Sequence, residues 1–97
     1  EVACIVLETI QGDGGLLEPV EGYFEALEVL CREYGILIAV DDIQQGLGRT
    51  GSWSSVDHFN FTPDLITFGK SLAGSSLYCV RNDSRRWWTI RTSRRLF

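Results

Sequence analysis

The chain has 97 residues, 44% of them hydrophobic and 23% charged, with a net charge of −4, a composition that suits a soluble globular domain and excludes disorder over most of the length. No apolar run approaches the roughly 20 residues that span a bilayer and no basic-then-apolar signal segment opens the chain, so a cytoplasmic protein with no membrane partner is expected. Residues 1–74 carry three basic and twelve acidic residues, a net of −9, whereas residues 75–97 carry six arginines and one aspartate, a net of +5; such a split marks either a basic nucleic-acid arm or two stretches of different origin.

Val2-Ala-Cys-Ile-Val-Leu7 is a continuous apolar run, β-branched at three positions, and predicts a strand buried on both faces that ends at Glu8. No methionine precedes it, which is the pattern expected of a chain that begins mid-fold. Gln11-Gly-Asp-Gly-Gly15 supplies a loop, and from Val20 to Tyr34 the apolar residues Val20, Phe24, Leu27, Leu30, Cys31 and Tyr34 recur at helical spacing. Gly35 stands where a helix C′ glycine belongs. The next strand, Ile36 to Val40, follows at once and runs into Asp41-Asp42 and a glycine-rich turn. Strand, helix and strand with short joints form the βαβ unit of a parallel sheet. Trp53, Val56 and Phe59 suit a short helix, Thr62-Pro63 breaks it, and Asp64-Leu-Ile-Thr-Phe68 predicts a short strand that delivers Gly69-Lys70 to the edge holding Glu8 and Asp41. Ser75 to Val80 has the makings of one short strand, but Arg81 to Phe97 shows no sustained period, so residues 75–97 are assigned no structure.

Cys4, Cys31 and Cys79 match neither a metal-site nor a disulfide-framework spacing, so buried free thiols in a reducing compartment are expected, and no metal. Lys70 is the only lysine. A lone lysine is ordinarily a solvated surface cation, but an apolar strand and a glycine before it, and Ser-Leu-Ala-Gly after it, argue for partial desolvation. Burial lowers a lysine's pKa and frees a neutral amine for Schiff-base chemistry with a carbonyl cofactor. Asp41, at a strand end, needs a positive or hydrogen-bonding partner. Arg49 or a helix N-terminus would serve, and so would the protonated ring nitrogen of pyridoxal phosphate. The glycines at 46, 48 and 51 lack nucleotide-loop spacing and are read as chain-bending elements. His58, the only histidine, has no partner in view and is not taken as catalytic.

Glu8-Thr-Ile-Gln-Gly-Asp-Gly-Gly15, Asp41-Asp-Ile-Gln-Gln-Gly-Leu-Gly-Arg-Thr-Gly51 and Pro63-Asp-Leu-Ile-Thr-Phe-Gly-Lys-Ser-Leu-Ala-Gly74 resemble, in order and spacing, three consecutive blocks of the class III (ω-amino acid) pyridoxal-phosphate aminotransferases. That family includes the 4-aminobutyrate, ornithine and acetylornithine aminotransferases. The resemblance covers residues 1–74 and implies an α/β fold, the central part of a fold type I large domain with a mostly parallel seven-stranded sheet. By position it implies that Lys70 forms the Schiff base with pyridoxal 5'-phosphate and moves the substrate proton. It further implies that Asp41 pairs with the pyridine nitrogen, that Gln44 reaches the cofactor's 3′ oxygen, and that Glu8 lies near the substrate side. A surface glutamine at position 44 and a capping glutamate at position 8 are the plainer alternatives. The implied activity transfers an amino group from an ω-amino acid to a 2-oxo acid within a homodimer. An amino-acid racemase or epimerase of the same fold is the alternative, and a truncated, non-catalytic remnant is the reading from another class. The family usually has proline where Thr9 stands and glutamate where Asp42 stands. After Gly74 its apolar continuation gives way to an arginine-rich tail, for which a shifted reading frame or degraded gene end is the expected origin; a nucleic-acid-binding tail carrying Trp87 and Trp88 is the remoter one.

Overall fold

Apolar alternation and strand pairing account for most of the architecture. The computed structural model describes residues 1–71, 77–83 and 87–93, the last two stretches as backbone paths. Its elements in chain order are β1 (Cys4–Leu7), α1 (Tyr23–Tyr34), β2 (Leu37–Asp41), a 3-10 turn (Ser55–His58), β3 (Leu65–Phe68), β4 (Leu77–Asp83) and β5 (Trp87–Ser93). They make one sheet in the order β1-β2-β3-β4-β5, with β1, β2 and β3 parallel and β4 and β5 antiparallel to their neighbours.

The parallel part follows the sequence pattern closely. Cys4 pairs with Leu37 and Leu7 with Val40, and Asp41 pairs with Thr67, so the carboxyl ends of all three strands lie along one edge. Because side chains alternate between faces, Ile5, Leu7, Ile38, Val40 and Ile66 share one face of the sheet. The core forms there, from Phe24, Cys31, Ile38, Val40, Phe61 and Ile66, with Ile5, Leu7, Leu27 and Phe59 packed against it. Phe24 is its centre: its ring stacks on Phe61 at 4.4 Å and meets Phe59 edge-on at 4.9 Å.

Helix α1 is shorter than the predicted Val20–Tyr34 by one turn. Gly22 takes a left-handed φ of 77° and cannot lie inside a helix, so the helical path opens at Tyr23. At the other end Gly35, with φ 66°, donates to the carbonyls of Cys31 and Arg32, which is the expected glycine stop. The helix is also tied to the sheet by charge. Arg32 donates through Nη1 to both carboxylate oxygens of Asp64 (3.1 and 2.9 Å) and through Nη2 to the Thr62 carbonyl (2.8 Å). Asp64 in turn accepts from the Ile38 amide at 2.8 Å. This pairing with Asp64 holds the Arg32 guanidinium above its ordinary pKa.

Two expectations need correction. The first strand is not buried on both faces: Val6 is 71% exposed, because α1 covers only the face of Ile5 and Leu7 and nothing among the described residues covers the other. Residues 75–97 lack a sequence period, yet Leu77–Asp83 pairs with β3, and Trp87–Ser93 pairs with β4 from Leu77↔Ser93 to Asp83↔Trp87. The run Trp-Trp-Thr-Ile is rich in strand formers, and strand pairing depends on the neighbouring strand more than on any internal period. The boundary placed after residue 74 falls in residues 72–76, which lie outside the described residues, as do residues 84–86 and 94–97.

Candidate active site

The parallel strands deliver polar residues to their common carboxyl edge, where ligands of open α/β sheets gather. Glu8 follows β1, Asp41 closes β2, and Lys70 follows β3 after Gly69. The side chains then sort themselves into two groups.

Lys70 and Gln44 meet. The lysine Nζ donates to Gln44 Oε1 at 3.0 Å, and the lysine makes no ion pair among the described residues. Its backbone takes a left-handed φ of 39°, unusual for a residue with a Cβ and of the kind that collects at functional sites. The expected desolvation is not found: Lys70 is exposed, because its edge of the sheet has no cover among the described residues. Asp41 is half-buried, and its Oδ1 accepts from the Ile43 amide at 3.1 Å, which closes an Asx turn directly after the strand. No bond joins Asp41 to Lys70. Asp41 closes β2 opposite Thr67 of β3, and Lys70 lies three residues beyond Thr67, past the end of that strand.

Glu8 and Asp42 serve the loops. Glu8 Oε2 accepts from the Gly12 amide at 2.8 Å and from Gln45 Nε2 at 2.6 Å, so its carboxylate anchors the loop after β1 to the turn after β2. Gln45 also donates to the Ile10 carbonyl. Both of its donor hydrogens are then used, and its buried Oε1 has no hydrogen-bond partner among the described residues. Asp42 is only 1% exposed. Its Oδ2 accepts from Ser54 Oγ (2.8 Å) and the Ser55 amide (3.1 Å), and its Oδ1 accepts from Ser55 Oγ. Of the two adjacent carboxylates, Asp42 is therefore held inside, whereas Asp41 is half-buried and accepts through Oδ1 alone among the described residues.

Sequence reasoning missed Gln45, Ser54 and Ser55. Ser54 had a local signal, since Ser-x-x-Asp over residues 54–57 is a capping box and Ser54 caps the 3-10 turn; Ser55 and Gln45 had none. The glycine-rich turn bends as expected, with Gly48 and Gly51 at φ 93° and 88°. Gly46 is needed for a different reason: a Cβ there would lie 2.6 Å from the Asp42 carbonyl oxygen and 2.9 Å from Phe68 Cδ1. Beside the turn a cleft of ≈ 650 Å³ is lined by Gln44, Gln45, Arg49, Thr50 and His58 together with Ile10 and Leu16.

At the carboxyl edge of the parallel strands the Lys70 amine lies against the Gln44 side chain, and Asp41 closes the neighbouring strand. The profile of the family described as "Aminotransferase class-III" matches residues 1–82, and the chain belongs to that family. Over 73 residues it is 49% identical to a leucine/methionine racemase of Thermococcus litoralis, covering 75% of this chain and 16% of that protein. Over 72 residues it is 44% identical to a probable 4-aminobutyrate aminotransferase of Bacillus subtilis, covering 74% of this chain and 16% of that protein. Among solved structures, ornithine delta-aminotransferase of Plasmodium falciparum superposes with a TM-score of 0.77 at 35% identity, over 84% of this chain and 22% of that one. The chain thus spans about one sixth of the length of these curated relatives. The five-stranded mixed sheet is part of a fold type I large domain.

Proposed function

We propose that this chain carries the lysine edge of a pyridoxal-phosphate site, and that the protein it represents transfers an amino group from an ω-amino acid to a 2-oxo acid. The observation that carries the reading is the contact between Lys70 Nζ and Gln44 Oε1, set beside Asp41 at the carboxyl edge of β2 and β3. The donor set suits the cofactor. Lys70 offers the only lysine amine of the chain, Asp41 offers an acceptor oxygen for a protonated ring nitrogen, and the Gln44 side chain offers an amide beside the lysine.

Pyridoxal phosphate, when bound, supplies a conjugated ring that takes up the electron pair left when a proton departs from a substrate carbon. The chain's own residues do the rest. Lys70 would hold the cofactor through its amine and, when that amine is free, would move the substrate proton. Gln44 would reach the cofactor's 3′ oxygen, and its Oε1 accepts a hydrogen bond from the Lys70 amine. Asp41 would keep the ring nitrogen charged, and its carboxylate is steadied by the Ile43 amide. Glu8 stands nearer the substrate side, where its loop contacts set the position of the strand end. The cofactor, a small amino donor, a 2-oxo acid acceptor, a homodimeric parent and a cytoplasmic setting complete the proposal. No helix of the described residues is long and apolar enough to cross a membrane.

Racemisation or epimerisation is the second reading, favoured by the 49% identity to a protein named as a leucine/methionine racemase. The same lysine serves both, since returning the proton to the opposite face gives the enantiomer.

The test is to add pyridoxal phosphate to the purified chain and to a Lys70→Ala variant and compare their visible absorption. A lysine-dependent band, removed by the substitution, is expected. Equal spectra for the two chains would sink cofactor attachment by this chain.

A further inference from the structure

Asp42 lies next to the site residue Asp41, and its hydrogen bonds reach β3, the turn after β2 and the 3-10 turn. Its amide donates to the Thr67 carbonyl of β3 at 3.0 Å, and its carbonyl accepts from the Gly46 amide at 2.9 Å. Its carboxylate accepts from Ser54 Oγ, the Ser55 amide and Ser55 Oγ. Among the described residues no cation pairs with it. A carboxylate buried without a cation persists only when donors replace its water, and here three do.

The direction of the bonds extends the chain one residue further. A serine hydroxyl has one hydrogen, and Ser55 Oγ gives it to Asp42, a carboxylate that can only accept. The contact between Thr9 Oγ1 and Ser55 Oγ is therefore a bond in which Thr9 donates. Thr9, 2% exposed, Ser55, 0% exposed, and Asp42, 1% exposed, form one directed relay in which each bond polarises the next. The relay runs from the residue after Glu8 to the residue after Asp41.

We propose that the Thr9–Ser55–Asp42 relay is a positioning device, which fixes the turn of residues 42–46 so that Asp41 and Gln44 are presented to Lys70 before any ligand binds. Its purpose rests on the cofactor reading given above. The relay acts through Asp41 and Gln44 and touches no ligand itself.

Amide hydrogen exchange on the full chain tests it, with Thr9→Val, which keeps the shape and removes the hydroxyl, against Thr9→Ser, which keeps the hydroxyl, and with Ser55→Ala as a stronger break. In Thr9→Val the Ile43 and Gly46 amides should exchange about ten-fold faster, in line with the loss of a buried hydrogen bond. The Ile38 and Val40 amides should keep their rates, and Thr9→Ser should restore the turn. Equal acceleration at all four amides would overturn the proposal, since that is general destabilisation. Faster exchange confined to the Phe59 amide of the 3-10 turn would overturn it too, since the network would then be only a cap. An unfolded Ser55→Ala together with an unchanged turn in Thr9→Val would likewise overturn it. Visible absorption with pyridoxal phosphate separates the two ideas. A selectively loosened turn in Thr9→Val, beside a wild-type chain without a lysine-dependent band, would retain the relay and reject the cofactor reading. A band that weakens about ten-fold in affinity in Thr9→Val and recovers in Thr9→Ser supports both.

Discussion

Replacing Gly46 by alanine sets a backbone effect against a steric one. The residue does not use a left-handed φ, so alanine would restrict the unfolded chain and, on that count alone, stabilise by about 0.4–1 kcal/mol. Against this, the new Cβ would sit 2.6 Å from the Asp42 carbonyl oxygen, 2.8 Å from Asp42 Oδ2 and 2.9 Å from Phe68 Cδ1. None of these atoms can give way cheaply. The carbonyl oxygen holds the Gly46 amide, Oδ2 holds Ser54 and Ser55, and Phe68 lies in β3 packed against the core. Overpacking of this kind typically costs about 1–3 kcal/mol, and here it displaces the acceptor of buried bonds as well, so the upper half of that range applies. The net expectation is a loss of about 1–2 kcal/mol. With a urea m-value of about 1–3 kcal/mol/M, the unfolding midpoint should fall by about 1 M. Urea denaturation followed by circular dichroism measures it, with Gly48→Ala as the comparison, since a Cβ at Gly48 meets nothing within 4 Å and only its φ of 93° is strained. A Gly46→Ala midpoint equal to or above wild type would refute the close approach and, with it, the claim that Asp42 is held rigidly.

Phe24→Ala removes the ring that stacks on Phe61 and should cost about 3–5 kcal/mol, enough to abolish a cooperative thermal transition in so small a domain. Arg32→Ala should cost about 1 kcal/mol by urea unfolding, since the pair with Asp64 engages both carboxylate oxygens but the arginine side chain is 44% exposed. Because the pairing raises the guanidinium's pKa, its contribution is complete below the ordinary arginine range and is lost only as the pH climbs through the raised value. The cost of Arg32→Ala should therefore be the same at pH values on either side of neutrality. Lys70→Gly should raise the thermal midpoint by relieving about 1 kcal/mol of left-handed strain, while it removes the amine that attaches the cofactor; a lower midpoint would show that the Gln44 contact outweighs the strain.

Local features are legible to the extent that they rest on local chemistry. Phe24, Leu27 and Cys31 at helical spacing mark α1, and Gly35 marks its end, whereas the start is misplaced because Gly22 looks the same in sequence whether or not it turns left-handed. Ile38 and Val40 are fully buried as an apolar strand predicts, but the same logic fails for Val6, whose exposure depends on what covers the far face of the sheet. Strand β5 escapes assignment because Trp87–Ser93 shows no sustained alternation of its own, and its pairing with β4 is what marks it as a strand. The order Glu8, Asp41, Lys70 along one edge is legible, since parallel strands joined by crossovers must end on the same side.

The sequence by itself therefore determined the family, the parallel βαβ frame and the lysine at its edge, because periodicity and the three ordered blocks are properties of contiguous residues. The resemblance singled out Asp41, and only the tertiary structure shows what holds Asp42 inside. Asp41 and Asp42 are adjacent and chemically alike, and what separates them is a pair of serines twelve and thirteen residues beyond Asp42, and a threonine 46 residues before the second of them. Folding brings the serine hydroxyls under Asp42, with Thr9 behind Ser55, and leaves Asp41 at the carboxyl edge, an arrangement made by long-range hydrogen bonding that no local pattern encodes.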